Sequence, residues 1–303
     1  KLASEGSSPY RLLAELLRET GQADQLVPRL EKLLEEDPAN APLRYYLVER
    51  YRENGQLEKA ATLARALLED APTIAAYRHL VDVYRRQEDF AALLDVLGKL
   101  VDRLGAVEPL REEGERLARD RKAVEALAEA ARARLKKSTA ALSYSQRLAI
   151  ALLGLQAKRA QLTAEFFELA VEAKPEATAE LLLTWSIGLL VDERYARAIE
   201  VLRRGAESEL PRDDRVEFYY YLAAALEAEG RTDEAIRAAR KATDLEKDAP
   251  RLLSRLAWVL YHGGRHDEAA RVYGDLVERF DDQHESSDVR QVLRDARDRF
   301  VVV

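Results

Sequence analysis

Metal chemistry in this chain would have to be built from four histidines, His79, His262, His266 and His284. His262 and His266 are four apart, a spacing that can place two imidazoles on one helical face for zinc. Gly263 and Gly264 lie between them, however, and predict an inter-helix turn, so a solvated turn is the expected reading. The adjacent carboxylates Asp213-Asp214 and Asp281-Asp282 could serve acid–base catalysis, but both pairs flank predicted helix starts, where negative charge complements the macrodipole. There is no Walker loop, dinucleotide glycine pattern or HExxH, and no serine sits in a recognisable nucleophile elbow. The chain has no Cys, which excludes a thiolate nucleophile, a disulfide and Cys-ligated zinc. No catalytic residue, metal or cofactor is expected, and the protein does not read as an enzyme.

The elements that position side chains are helices. Ala, Leu, Glu and Arg dominate, only 13 Gly and 9 Pro occur in 303 residues, and β-branched runs are nearly absent. A chain of this length is either two ordinary domains or one array that grows by adding units. The formal charge is −7, with 48 basic and 55 acidic residues interspersed, which argues against a general nucleic-acid or anionic-membrane binder. Leu181 to Val191, the longest mostly apolar run, is shorter than the roughly 20 residues of a membrane span. No membrane insertion is expected; the chain reads as soluble, with the compartment open and the cytoplasm only favoured. It has no Met, even at residue 1, so it is expected to begin inside a longer protein or at a processed end, with residues 1–6 as linker or remnant.

The strongest signal is internal repetition. Gly21 and Gly55 are 34 apart, as are Gly230 and Gly264, Pro38 and Pro72, and Ala235 and Ala269. Each Gly follows one amphipathic helix and precedes another, as in YYLVERYRENGQLEKAATLARALLEDAP from Tyr45 to Pro72. The glycine supplies the turn, the small Ala lets two helices approach, and the Pro stops the second helix. The unit is a helical hairpin.

This pattern resembles the tetratricopeptide repeat (TPR) family, whose 34-residue unit carries large residues at positions four and eleven, small ones at eight and twenty, and Pro near thirty-two. Units start near residues 7, 41, 74, 107, 144, 179, 216 and 250, so the resemblance covers 7–283. The units at 41, 216 and 250 match well, through Leu47, Tyr51, Gly55, Ala60 and Pro72 in the first. The unit near 107 lacks the turn glycine, and a longer loop is expected around Lys136 to Ser143. Ser287, Val289, Val292, Leu293, Ala296 and Phe300 predict a capping helix or a truncated ninth repeat over 284–303. The resemblance implies an all-α, right-handed superhelical solenoid of about eight hairpins that acts as a protein-interaction scaffold.

In that register the run Tyr219-Tyr220-Tyr221 points in three useful directions: Tyr219 into its own unit, Tyr220 into the concave groove and Tyr221 toward the neighbouring seam. Positions five, nine and twelve of each unit should line the groove. In the later units these include Leu148, Leu152, Leu155, Leu183, Ile187, Leu190, Tyr220, Trp258 and Tyr261, a mostly apolar set expected to bind a partner helix or peptide. Burying ~500 Å² there would contribute about 12 kcal/mol before ordering costs, enough for a micromolar complex. Filling of the groove by another part of a longer protein, or plain core burial, are the alternatives. The earlier units give a second, polar groove with Arg78, Asp82, Arg85 and Arg111, where intramolecular pairing is the default. Heat-shock-chaperone binders of this family use a carboxylate clamp with groove-facing Asn, and neither Asn40 nor Asn54 falls at such a position. Pentatricopeptide-like RNA reading would need a basic groove, so nucleic acid is not expected as a partner.

Overall fold

The computed structural model describes residues 8–104 and 108–280, the side chains of residues 8 and 104–113 excepted. The expected linker at 1–6 and the expected helix over 284–303, with His284 and the Asp281-Asp282 pair, lie outside the described residues. Among the described residues there are sixteen α-helices and no strand, so the chain is all-α, as expected of a helical repeat. No helix there is long and apolar enough to cross a membrane.

The chain divides into two compact units, Lys1–Ala173 and Lys174–Val303. Unit 1 holds α1 (Ser8–Glu19), α2 (Leu26–Glu36), α3 (Ala41–Glu53), α4 (Leu57–Asp70), α5 (Ile74–Gln87), α6 (Phe90–Leu104), α7 (Glu108–Arg119), α8 (Arg121–Lys137), α9 (Tyr144–Gln156) and α10 (Ala160–Ala173). Unit 2 holds α11 (Thr178–Val191), α12 (Tyr195–Glu207), α13 (Arg212–Ala228), α14 (Thr232–Leu245), α15 (Pro250–His262) and α16 (His266–Phe280).

Helices associate as consecutive hairpins because one turn geometry is used repeatedly. At Gly55 φ is +74°, and the following Gln56 N–H donates to the Tyr51 carbonyl at 2.8 Å. This six-to-one bond satisfies a carbonyl that the helix end would leave orphaned. The same bond closes the hairpins at Gln22, Asp89, Arg159, Arg194, Arg231 and Arg265. Where the sequence lacks the glycine, Glu88, Lys158 and Glu193 take the left-handed conformation at φ +55° to +57°. The α7–α8 turn is built differently, with Asp120 capping α8 by accepting from the Ala123 N–H at 3.1 Å. Small residues then allow close approach: Ala60, Ala235 and Ala269 are fully buried in their second helices.

One helix departs from regular stacking. In unit 1, α3 rests on α2, and α5 on α4, but α9 lies against α6, α7 and α8 as well as its own partner α10. Every residue from Ser145 to Gly154 is buried as a result. Glycines open the way: a Cβ at Gly98 of α6 would lie 2.6 Å from Gln146 Cγ, and one at Gly114 of α7 would collide with the Gln156 amide. The start of α9 is fixed by a Ser143–Gln146 capping box. Gln146 Nε2 donates to Asp95 at 2.7 Å, and the Ser145 hydroxyl donates to Asp102, both on α6. The buried Arg147 guanidinium donates to the carbonyls of Thr139 (2.6 Å), Leu142 (3.1 Å) and Leu169 (2.8 Å), tying down the connection from α8.

Candidate partner-binding face

Unit 2 presents its first helices side by side, α11 beside α13 and α13 beside α15. The apolar end of this row is α11. Its sequence TAELLLTWSIGLLV is apolar around nearly the whole circumference, so one face must stay outside whichever face is buried. Leu181, Leu182, Trp185, Ser186 and Leu189 go inside, with the Arg197 guanidinium 5.3 Å over the Trp185 ring. Leu183 and Leu190 are left half-buried, Ile187 is 37% exposed and Val191 is 79% exposed. Leu183, Ile187 and Leu190 follow one another at helical spacing, so what they expose lies along one side of α11.

On α13 and α15 the row changes character. Tyr219 and Tyr220 both pack against the buried cluster of Val216, Ala242, Ala249 and Leu252. The guanidinium carbons of Arg251 and Arg255 lie 5.3 and 5.0 Å from the Tyr220 centroid, a cation–π pair on one ring. Tyr221 meets Tyr220 edge-on at 5.2 Å, and burial raises the pKa of its hydroxyl. Arg251 is engaged twice by Glu217, through Nη1 at 3.0 Å and through Nη2, so both its outer nitrogens are occupied. Glu227 gathers two hydrogen-bonding partners and one ion-pair partner. Trp258 Nε1–H reaches its Oε1 at 2.5 Å, His262 Nδ1 the same oxygen at 3.0 Å, and Arg255 Nη1 lies 3.7 Å from Oε2. The Trp258 and His262 rings meet at 4.0 Å, and Tyr261 lies 5.1 Å from His266. His262 is exposed at the end of α15, and Gly263 and Gly264 form the expected solvated turn; from that position its ring also meets Trp258 and Glu227. Among the described residues no group of His, Asp and Glu is arranged to hold a metal.

The expected groove residues thus have different surroundings. Leu183, Ile187 and Leu190 share the outer face of α11, where Ile187 is exposed and the two leucines are half-buried, and Tyr220, Trp258 and Tyr261 are likewise half-buried on α13 and α15. Leu148 and Leu152 are only 2% and 9% exposed, which corrects their assignment to an open groove: α9 buries them within unit 1. Leu155, one turn later, is half-buried.

The polar set also lies in unit 1. Asp82 accepts from Arg52 Nη1 at 2.7 Å and is 3.6 Å from Arg85, which in turn is 3.7 Å from Asp120. Arg78, four residues before Asp82 on α5, is half-buried, and the Arg111 side chain lies outside the described residues. His79, whose ring is tilted 39° to that of Tyr45 with centroids 5.6 Å apart, has a pKa lowered to about 4, first by burial and then by Arg52, with Asp82 opposing.

Two family profiles described as tetratricopeptide repeat match the chain, one over residues 17–82 and 226–293 and the other over 183–250. Together they span more than half of it. The chain belongs to the tetratricopeptide repeat family. TPR repeats are generally non-catalytic interaction modules, and the repeats of this chain make it a protein-interaction scaffold. Similar solved TPR structures include the C-terminal part of a TPR repeat-containing protein from Cytophaga hutchinsonii, 10% identical, covering 83% of this chain and 84% of that one with a TM-score of 0.47. Another is MamA, residue 41 to the end, from Desulfovibrio magneticus RS-1: 19% identical, 65% of this chain, 98% of that one, TM-score 0.39. A chain of the Naa15/Naa10 complex bound to HypK-THB is 16% identical over 97% of this chain and 39% of its own length, TM-score 0.44. No curated protein matches by sequence.

Proposed function

We propose that unit 2 is a docking platform for a partner helix or peptide, laid along the first-helix face from α11 to α15. The observation that carries this reading is the α11 stripe: Leu183, Ile187 and Leu190 stand outside a core already filled by Leu182, Trp185 and Leu189. Such a stripe adjoining an aromatic row fits recognition of the apolar face of a helix, with the aromatic residues flanking it. The protein acts by binding and carries out no reaction of its own.

The test is capture from cell extract by the wild-type chain, Ile187→Asp and, as a surface control, Leu12→Asp, which lies on the exposed face of α1. The reading predicts a discrete partner retained by wild type and Leu12→Asp and lost from Ile187→Asp, with helical circular dichroism unchanged in all three. Equal capture by all three would overturn it. Loss of helicity in Ile187→Asp would assign this side chain to the core instead.

A further inference from the structure

We infer that the chain pairs with a second copy of itself through the exposed face of α1, the two α1 helices running antiparallel. The contact belongs to unit 1 and is independent of the docking reading of unit 2. Leu12 and Leu16 lie one helical turn apart on α1 and are 63% and 57% exposed. The other side of this helix is already used. Leu17 is buried there, and the Tyr10 ring meets that of Tyr46 on α3 with centroids 5.9 Å apart.

The repeat register shows what covers this face elsewhere. Leu12 and Leu16 occupy positions six and ten of the hairpin that starts near residue 7. At position six of later hairpins, Tyr46 packs on Tyr10, the His79 ring centroid is 5.6 Å from that of Tyr45, and the Arg255 Cζ is 5.0 Å from the Tyr220 centroid. Each of those tyrosines stands on the first helix of the preceding hairpin. At position ten of the hairpins starting near 74, 216 and 250, Val83, Ala225 and Val259 are at most 1% exposed. These positions are thus covered by helix where a hairpin precedes them, and among the described residues no helix precedes α1. The cover that fits is a helix with an apolar stripe of its own, and α1 is such a helix. Its charges fit as well. Setting Leu12 against Leu16 of an antiparallel copy places Arg11 axially between that copy's Glu15 and Glu19, with all three charged residues exposed and on the same side of the stripe. One face of a 12-residue helix falls well short of the ~1,600 Å² of a standard interface, so the pairing is weak and concentration-dependent.

The test is sedimentation equilibrium of the whole chain from micromolar to millimolar concentration. It compares wild type, Leu12→Asp, an acidic variant Arg11→Glu, and a basic variant carrying Glu15→Arg and Glu19→Arg. The inference predicts a reversible dimer of wild type and self-association at least tenfold weaker in each variant alone, with helical circular dichroism unchanged. Mixing the acidic and basic variants should form a heterodimer at least as tight as the wild-type dimer, because one face then carries only negative and the other only positive charge at these positions. A dimer untouched by Leu12→Asp would place the contact elsewhere, and a mixture that stays monomeric would reject the antiparallel register; either overturns the inference. A wild type that is monomeric throughout would assign the face to a helix of another protein and overturn it too. Were Leu12→Asp to lose helicity, the mixture of charge variants would decide alone.

Discussion

The indole N–H of Trp258 donates to a carboxylate oxygen of Glu227, which stands one repeat earlier in the chain on the neighbouring first helix. The same oxygen faces His262, so one carboxylate fixes two aromatic side chains of α15 against α13. Replacing it strands both donors. Glu227→Leu should lower stability by about 1–2 kcal/mol and alter tryptophan emission. Trp185, the second tryptophan, is buried and remote from the change in sequence, and it serves as the constant background. Chemical denaturation followed by fluorescence checks both effects, and unchanged emission would mean that the pair does not persist in solution.

Gly205 of α12 lies directly under Phe218 of α13, and a methyl group at position 205 would fall well inside contact distance of three ring carbons. Gly→Ala in an exposed helix interior gains up to about 1 kcal/mol. Here overpacking against a fully buried ring reverses the sign, and Gly205→Ala is expected to cost about 1–3 kcal/mol. Adding Phe218→Leu should recover part of the loss. A stabilised Gly205→Ala in urea denaturation would contradict the packing described.

Arg147 donates to the carbonyls of Thr139, Leu142 and Leu169 from within unit 1. Arg147→Met fills similar space but leaves three carbonyls without that donor, and a loss of about 3 kcal/mol is expected. Arg147→Lys should not restore it, because an ammonium cannot span the same three directions as the planar fork. The accompanying signature is faster proteolysis in the 138–143 connection, read by limited digestion and mass spectrometry.

His79 sets an acid dependence for unit 1. Its pKa is 6.5 in the unfolded reference and about 4 when folded, lowered chiefly by burial. The unfolded chain therefore binds more protons between these values, and stability falls as pH drops from about 6.5 to about 4. The full loss is at most ~3 kcal/mol, reached below the folded pKa. Denaturation at pH 7 and pH 4.5 should show a smaller decline for His79→Phe than for the wild type; equal declines would place the acid sensitivity elsewhere.

Much of the local architecture was legible because a few residue types mark it. Gly21, Gly55, Gly230 and Gly264 all have φ between +68° and +75°, and a side chain at any of them would meet nothing within 4 Å, so backbone conformation is their whole constraint. Glu88, Lys158 and Glu193 make the corresponding turns without any such marker, since the six-to-one hydrogen bond needs only the backbone. Positions five, nine and twelve predict an open face only where each first helix follows its predecessor in regular order. At α9 the small surfaces of Gly98 and Gly114 admit a different packing, and Leu148 and Leu152 end in the core. The Glu227 cluster was hidden for another reason. Its partners are 31 and 35 residues away, and Arg251 meets Glu217 across 34, so these contacts form between successive repeats and leave no local motif.

The central claim is that the first-helix face of unit 2 receives the partner. Amide hydrogen exchange of the full chain, with and without a synthetic amphipathic helix that carries one leucine-striped face, tests it most directly. The account predicts slowed exchange in α11, α13 and α15, residues 178–191, 212–228 and 250–262, with α12, α14 and α16 little changed. Protection confined to those second helices, or to unit 1, would contradict it.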